Sequence, residues 1–268
     1  MPDDARTELT EPPALLPGFA VTAVTPDDQS ALAAAMLIVM LAADGANVAA
    51  MVPVETGQEN PCDPGSRGAL IRWAAGHLDD PRQVTPFALE AEQSAMHAAD
   101  ASGTLLHGAA FDRAREVLCE GRTVFVVADA VGPHDPITPS MTMLDLMVRW
   151  QLGVLIVEPV SRWAVGHVRL LANSVLSRGL SIAGVILSQE RASSTEAAEQ
   201  VDAIRDTLGA LFDCPVILLP QVLSMHDRPE LLAAARECGL HRVAPRFTPF
   251  GSRRVTPRVT PRVTPPTD

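Results

Sequence analysis

GFAVTAVTPDDQSALAAAMLIVMLAADGANVAAMVPV, residues 18–54, sets two short apolar runs on either side of a longer one. The runs at Phe19 to Thr22 and Val48 to Val54 are rich in β-formers and lack alternating polar residues, as strands covered on both faces do. Between them the pattern predicts a helix from about Pro26 to Asp44, stopped by Gly45 just past the C-cap. Thr25 reads as its N-cap and Pro26 as its first residue. Asp28 lies three residues after Thr25, as in a capping box. Strand, helix and strand in this order are the unit of a parallel sheet with helices on its faces.

The same alternation continues to about Gly239. A loop from Glu55 to Gly68 leads to a short helix bearing Leu70, Ile71 and Trp73. Further strands are expected at Thr123 to Val127, Val154 to Val157, Ile182 to Leu187 and Val216 to Leu219. Helices are expected near Phe111 to Cys119, Thr142 to Gln151, Trp163 to Ser177 and Thr195 to Leu211. The expected fold class is α/β: a doubly wound, mostly parallel sheet in one domain, residues 18–250. A flexible leader at 1–17 and a disordered Arg-Val-Thr-Pro tail at 251–268 flank it, since prolines every few residues suit neither a helix nor a central strand.

Composition narrows the function. An apolar fraction of 47% over 268 residues supports a large buried interior. The net charge of −11 argues against nucleic acid or an anionic membrane as partner, because both need a basic face. The residues from Gly251 onward carry +3 of that total and the rest −14. Cys62, Cys119, Cys214 and Cys238 form no C-x-x-C pair, which fits reduced, buried thiols in a cytoplasmic protein. Ala31 to Ala43 is too short an apolar run to span a bilayer, which takes roughly 20 residues. The chain has no lysine at all; its 21 basic residues are arginines.

Several stretches in series resemble the dethiobiotin synthetase family. Met51-Val52-Pro53-Val54-Glu55-Thr56-Gly57 is similar to that family's K-P-V-x-[ST]-G, and Val127-Ala128-Asp129-Ala130-Val131-Gly132 stands where it has V-E-G-A-G-G. Met143 to Leu146, Val154 to Val157, the Gly166-His167 pair and Arg178 to Leu187 keep the family's order and spacing. The resemblance covers Val21 to about Pro220. It implies a P-loop fold, ATP and Mg²⁺ as cofactors, ring-closing carboxylation of diaminopelargonate, and a homodimer.

The resemblance also locates each functional position in this chain. The phosphate loop falls on Ala23 to Ala31: Ala23 and Gln29 stand at its two glycines, Ser30 at its lysine and Ala31 at its metal-binding hydroxyl, with Thr25, Asp27 and Asp28 between them. The carbamate-forming lysine falls at Val52, the metal-binding aspartate at Gly68, the glutamate of V-E-G at Ala128 and the adenine-reading asparagine at Ser188. Thr56, Gly57, Gly132, Gly166 and His167 remain as candidate ligand contacts. The expectation is therefore a homologue without catalytic residues, metal or cofactor. It would act as a binding or regulatory subunit, either as a homodimer or paired with an active relative, with a small-molecule ligand possible. The alternative is an active ligase using ATP and Mg²⁺, with arginines such as Arg67 or Arg162 in place of lysine; a partition-type switch ATPase is a third class.

Other residues favour ordinary roles. Asp129, His134 and Asp135 share a loop after a strand, where a metal or acid–base pair is conceivable but a solvated histidine is commoner. Glu158 and Arg162 suit a surface pair, and His167 suits capping or packing. Ser94 and His97 lack the elbow and the acid that triad chemistry needs. Met36, Met40, Met141, Met143 and Met147 are expected to fill the core.

Overall fold

A computed structural model describes residues 16–76, 78–189 and 195–244. In chain order its strands are β1 (Gly18–Ala23), β2 (Val48–Met51), β3 (Val54–Thr56), β4 (Phe87–Leu89), β5 (Val124–Ala128), β6 (Pro136–Thr138), β7 (Met141–Thr142), β8 (Gly153–Pro159), β9 (Ile182–Ser188) and β10 (Val216–Leu218). Its helices are α1 (Asp28–Ala43), α2 (Arg67–Ala74), α3 (Pro81–Val84), α4 (Ala95–Ser102), α5 (Gly108–Cys119), α6 (Met143–Arg149), α7 (Ala164–Ser177), α8 (Thr195–Leu211) and α9 (Arg228–Glu237). Six strands form one sheet in the order β10-β9-β8-β1-β5-β2, every pair parallel.

Alternate residues of each strand feed two cores. Phe19, Val21, Val124, Val126, Leu155 and Val157 face the layer of α1, α2 and α9. Ala20, Phe125, Val127, Val154 and Ile156 face the opposite layer, with Phe111, Met147, Val168 and Leu208. Because both faces are covered, period-two alternation of polar residues vanishes, and the strands read as continuous apolar runs. Helix α1 is buried all round from Ser30 to Leu41, between the sheet on one side and α2 and α9 on the other. Its alanines let these layers approach closely. Met36, Met40, Met143 and Met147 are fully buried, and Met141 partly so.

Three expectations need correction. The run Val48 to Val54 is two strands: β2 belongs to the main sheet, while β3 turns away and pairs in parallel with β4. Pro53 lies between them and has no N–H to continue a ladder. Helix α1 begins two residues later than its Thr25 reading, with Asp27 as the N-cap. Cys62 is exposed rather than buried; the other three thiols are half-buried and all four are free. The leader up to residue 15 and the tail at 251–268 lie outside the described residues. Among the described residues no helix is long and apolar enough to cross a membrane.

Candidate functional site

Parallel α/β sheets bind ligands at the carboxyl ends of their strands. Here that edge carries the turn from β1 into α1, the loops after β3 and β5, and the end of β8. At the first turn, Asp27 and Ser30 form a reciprocal capping box. The Asp27 carboxylate accepts from the Ser30 N–H at 2.9 Å, Ser30 Oγ accepts the Asp27 N–H in return at 3.4 Å, and its hydroxyl donates to the Asp27 carbonyl at 2.7 Å. A phosphate loop works by turning free N–H groups and a helix N-terminus toward an anion. In this turn, Asp27 already provides a negative partner. Asp28 adds a second acid in the first turn and is exposed, as is Thr25, while Gln29 is half-buried.

Helix α1 starts at Asp28, so the capping position falls on Asp27 rather than Thr25, and the Asp27 carboxylate reaches the Ser30 N–H in the first turn. Loss of this cap costs about 0.5–2 kcal/mol, so Asp27→Ala is expected to lower stability by that amount in urea melts, and Asp27→Asn by less.

Two buried carboxylates lie deeper in the same edge. Asp129, 2% exposed, accepts the Thr22 hydroxyl at 2.6 Å and the N–H groups of Val131 and Gly132 at 3.0 and 2.9 Å. Burial pushes its pKa up, and these hydrogen bonds and the charge of Arg67 pull against that. Glu55, also 2% exposed, reaches the head of α2 and accepts the N–H groups of Arg67 at 2.5 Å and Gly68 at 3.0 Å. Its pKa is likewise raised by burial and opposed by the same backbone groups and by Arg67. Sequence reasoning passed over Glu55 as one letter of a motif; its only signal was an acid inside an apolar strand.

Gly132 is buried at φ +105°, packs against Pro26, and gives its N–H to Asp129. Thr56 and Gly57 close the small β3–β4 sheet, the Gly57 N–H bonding to the Ala91 carbonyl at 3.2 Å. Gly166 is exposed on α7 with open space before it.

His167, expected to cap or pack, places its Nδ1 2.8 Å from an oxygen of Glu158, whose side chain is only 5% exposed. Glu158 thus pairs with His167 rather than Arg162, whose guanidinium instead lies 4.6 Å from the centre of the Trp163 ring. Burial raises the pKa of Glu158; the His167 hydrogen bond opposes this, and the nearby charge of Asp27 adds to the rise.

The loop cluster of Asp129, His134 and Asp135 separates into structural parts. Asp129 points into the interior, Asp135 accepts the Ala95 N–H at 3.0 Å at the start of α4, and His134 is exposed. Among the described residues no three His, Cys, Asp or Glu side chains are grouped to hold a metal. Ser94 Oγ does lie 2.8 Å from His97 Nδ1, at the exposed start of α4.

Magnesium with a nucleotide is what this fold family implies, and the residues present do not fit it. A Cβ at Gly68 would stand 2.1 Å from Thr85 Oγ1, so the space for a side chain there is filled. Ala31, Val52 and Ala128 are buried apolar residues in the core beside the edge. Ser188 is buried, its carbonyl accepting the Val160 N–H at 2.8 Å.

An AAA domain family model matches residues 22–221. Among curated proteins, an ATP-dependent dethiobiotin synthetase BioD of Anaeromyxobacter dehalogenans is 28% identical over 149 residues, 55% of this chain and 65% of that protein. The match therefore spans just under two thirds of that relative's length. The enzyme of the same name from Yersinia pestis is 22% identical over 78% of this chain and 87% of its own. Among solved structures, cobyrinic acid a,c-diamide synthase of Mycobacterium smegmatis aligns with 87% of this chain and 96% of its own, at 14% identity and a TM-score of 0.48. The family model runs from the last two residues of β1 through β10 and includes the turn before α1. The chain belongs to the AAA domain family, as a dethiobiotin synthetase-like P-loop protein.

Proposed function

We propose that this protein has lost ATP-dependent ligase activity and acts as a non-catalytic binding or regulatory subunit, paired with a second copy or with an active relative. The observation that carries this reading is the occupied turn before α1, where Asp27 and Ser30 satisfy each other in a chain that has no lysine. Asp27, Asp28 and Glu158 gather negative charge where phosphates would lie. Like charges about 4 Å apart repel by about 1 kcal/mol in water and more in a partly desolvated cleft. Arginine grips phosphate well but cannot supply the compact point charge or the neutral amine that lysine offers.

A surface for a partner is at hand on α7. Trp163, immediately before α7, and Leu170 within it are 58% and 69% exposed, and their seven-residue separation puts them on one face with Gly166 between. The names of the curated relatives favour a second reading, an active dethiobiotin synthetase-type ligase using ATP and Mg²⁺. An assay with diaminopelargonate, bicarbonate, ATP and Mg²⁺ separates the two. No dethiobiotin is expected; turnover by the purified chain would establish the second reading.

A further inference from the structure

We infer that the guanidinium of Arg67 is a built-in cation that takes the place of a divalent ion at this sheet edge, bonding the head of α2 to the loop after β5. Three observations bear on it.

Arg67 is the first residue of α2. Its N–H donates to the Glu55 carboxylate at 2.5 Å, and its Nη1 donates to the Ala130 carbonyl at 2.9 Å. One residue therefore joins the segments after β3 and β5, as an ion shared between two loops would. Next, the charge of Arg67 acts favourably on both buried carboxylates of the edge, Glu55 and Asp129. Finally, the oxygens a small cation would need already accept hydrogen bonds. Both oxygens of Glu55 hold backbone N–H groups, and those of Asp129 hold Thr22, Val131 and Gly132.

A guanidinium suits this role because it stays charged at any working pH and can donate sideways to a carbonyl while its field reaches the acids. A divalent ion would instead demand several open oxygen ligands. Thr85 Oγ1, which has no hydrogen-bond partner, fills the space beside Gly68 from which a further ligand could reach inward.

The inference deepens the proposed loss of ligase chemistry, and it rests on that reading in holding that no Mg²⁺ enters. Its test uses no nucleotide, so the two can fail separately. Thermal melts of the full chain would compare wild type, Arg67→Met, Arg67→Lys, Glu55→Gln and the Glu55→Gln/Arg67→Met double variant, each with and without millimolar Mn²⁺.

Arg67→Met is expected to melt about 5–15 °C lower, because it strands buried negative charge. Arg67→Lys should lose less than half as much. In the Glu55→Gln background the Arg67→Met loss should shrink by half or more, since the two charges act on each other. Should Arg67→Met fail to fold, the double variant is expected to recover folding. Wild type should show no Mn²⁺-dependent rise.

An Arg67→Met loss of equal size in both backgrounds, a double variant that stays unfolded, or a wild type stabilised by Mn²⁺ would overturn the inference. Dethiobiotin turnover in the separate ligase assay, alongside an intact Arg67–Glu55 coupling here, would sink the loss of ligase chemistry and leave the internal cation standing.

Discussion

Gly68→Asp is expected to destabilise the protein by about 3 kcal/mol or more instead of opening a metal site. The first carbon of any side chain at this position would lie 2.1 Å from Thr85 Oγ1, 3.2 Å from Thr85 Cβ and 3.3 Å from Glu55 Oε2. Rotation of the threonine moves its oxygen but leaves its Cβ close, so the clash is only partly relieved. Overpacking of this kind costs about 1–3 kcal/mol. The aspartate then adds a second negative charge beside Glu55, which is already buried and short of solvation.

Gly68→Ala isolates the steric part and should lose about 1–3 kcal/mol. Thr85→Ala combined with it should recover part of that loss. Chemical denaturation of the four chains measures all of this. A Gly68→Asp protein as stable as wild type, and further stabilised by Mg²⁺, would mean that the edge retains a working cation site.

The second large effect belongs to Asp129. Its replacement by alanine leaves the Thr22 hydroxyl and the N–H groups of Val131 and Gly132 without their acceptor inside the protein. Each stranded group costs about 1–3 kcal/mol, and Arg67 also loses one of its two acids. A total loss of at least about 3 kcal/mol follows, which lowers the melting temperature by roughly 10 °C in a domain of this size.

The dependence on pH has a definite sign. The folded-state pKa of Asp129 lies above its ordinary value of 3.8. In that window the native state binds more protons than the unfolded state, so this residue's contribution to stability falls as pH rises from about 3.8 through the folded pKa. Asp129→Asn cannot titrate. Its stability should therefore decline less than that of wild type as pH rises above about 3.8; an equal decline would show that Asp129 is not the source.

Much of the fold was legible because it rests on burial from two sides. The apolar runs of β1, β5, β8 and β9, and the unbroken apolar stretch of α1, leave few other arrangements. The elements the sequence hid are short: β3 and β4 have three residues each, β7 two and α3 four, too few for periodicity to show. Helix α9 offered a clear start in Asp227-Arg228-Pro229-Glu230. The Asp227 carboxylate indeed caps the Glu230 N–H at 3.0 Å, yet the loop before it gave no apolar run to draw attention there.

The site was legible in outline and not in wiring. The missing lysines and glycines could be read directly from residues 23–31 and 52. That Asp27 rather than Thr25 caps α1 was hidden because Thr25-x-x-Asp28 and Asp27-x-x-Ser30 both place capping residues at the right spacing. Glu55 and Arg67 stand twelve residues apart in sequence, and nothing in their spacing announces that one caps the other's helix. The pairing of Glu158 with His167 was likewise hidden, since it joins the end of β8 to the first turns of α7 across a bend.

These features converge on one electrostatic statement: the turn before α1 offers an incoming diphosphate negative charge and occupied amides. Calorimetric titration of the purified chain with ADP and Mg²⁺ tests it most directly. The account predicts no saturable heat up to about millimolar ADP, where binding would be worth only about 4 kcal/mol. A dissociation constant in the micromolar range, lost when Asp27 and Ser30 are replaced, would contradict it.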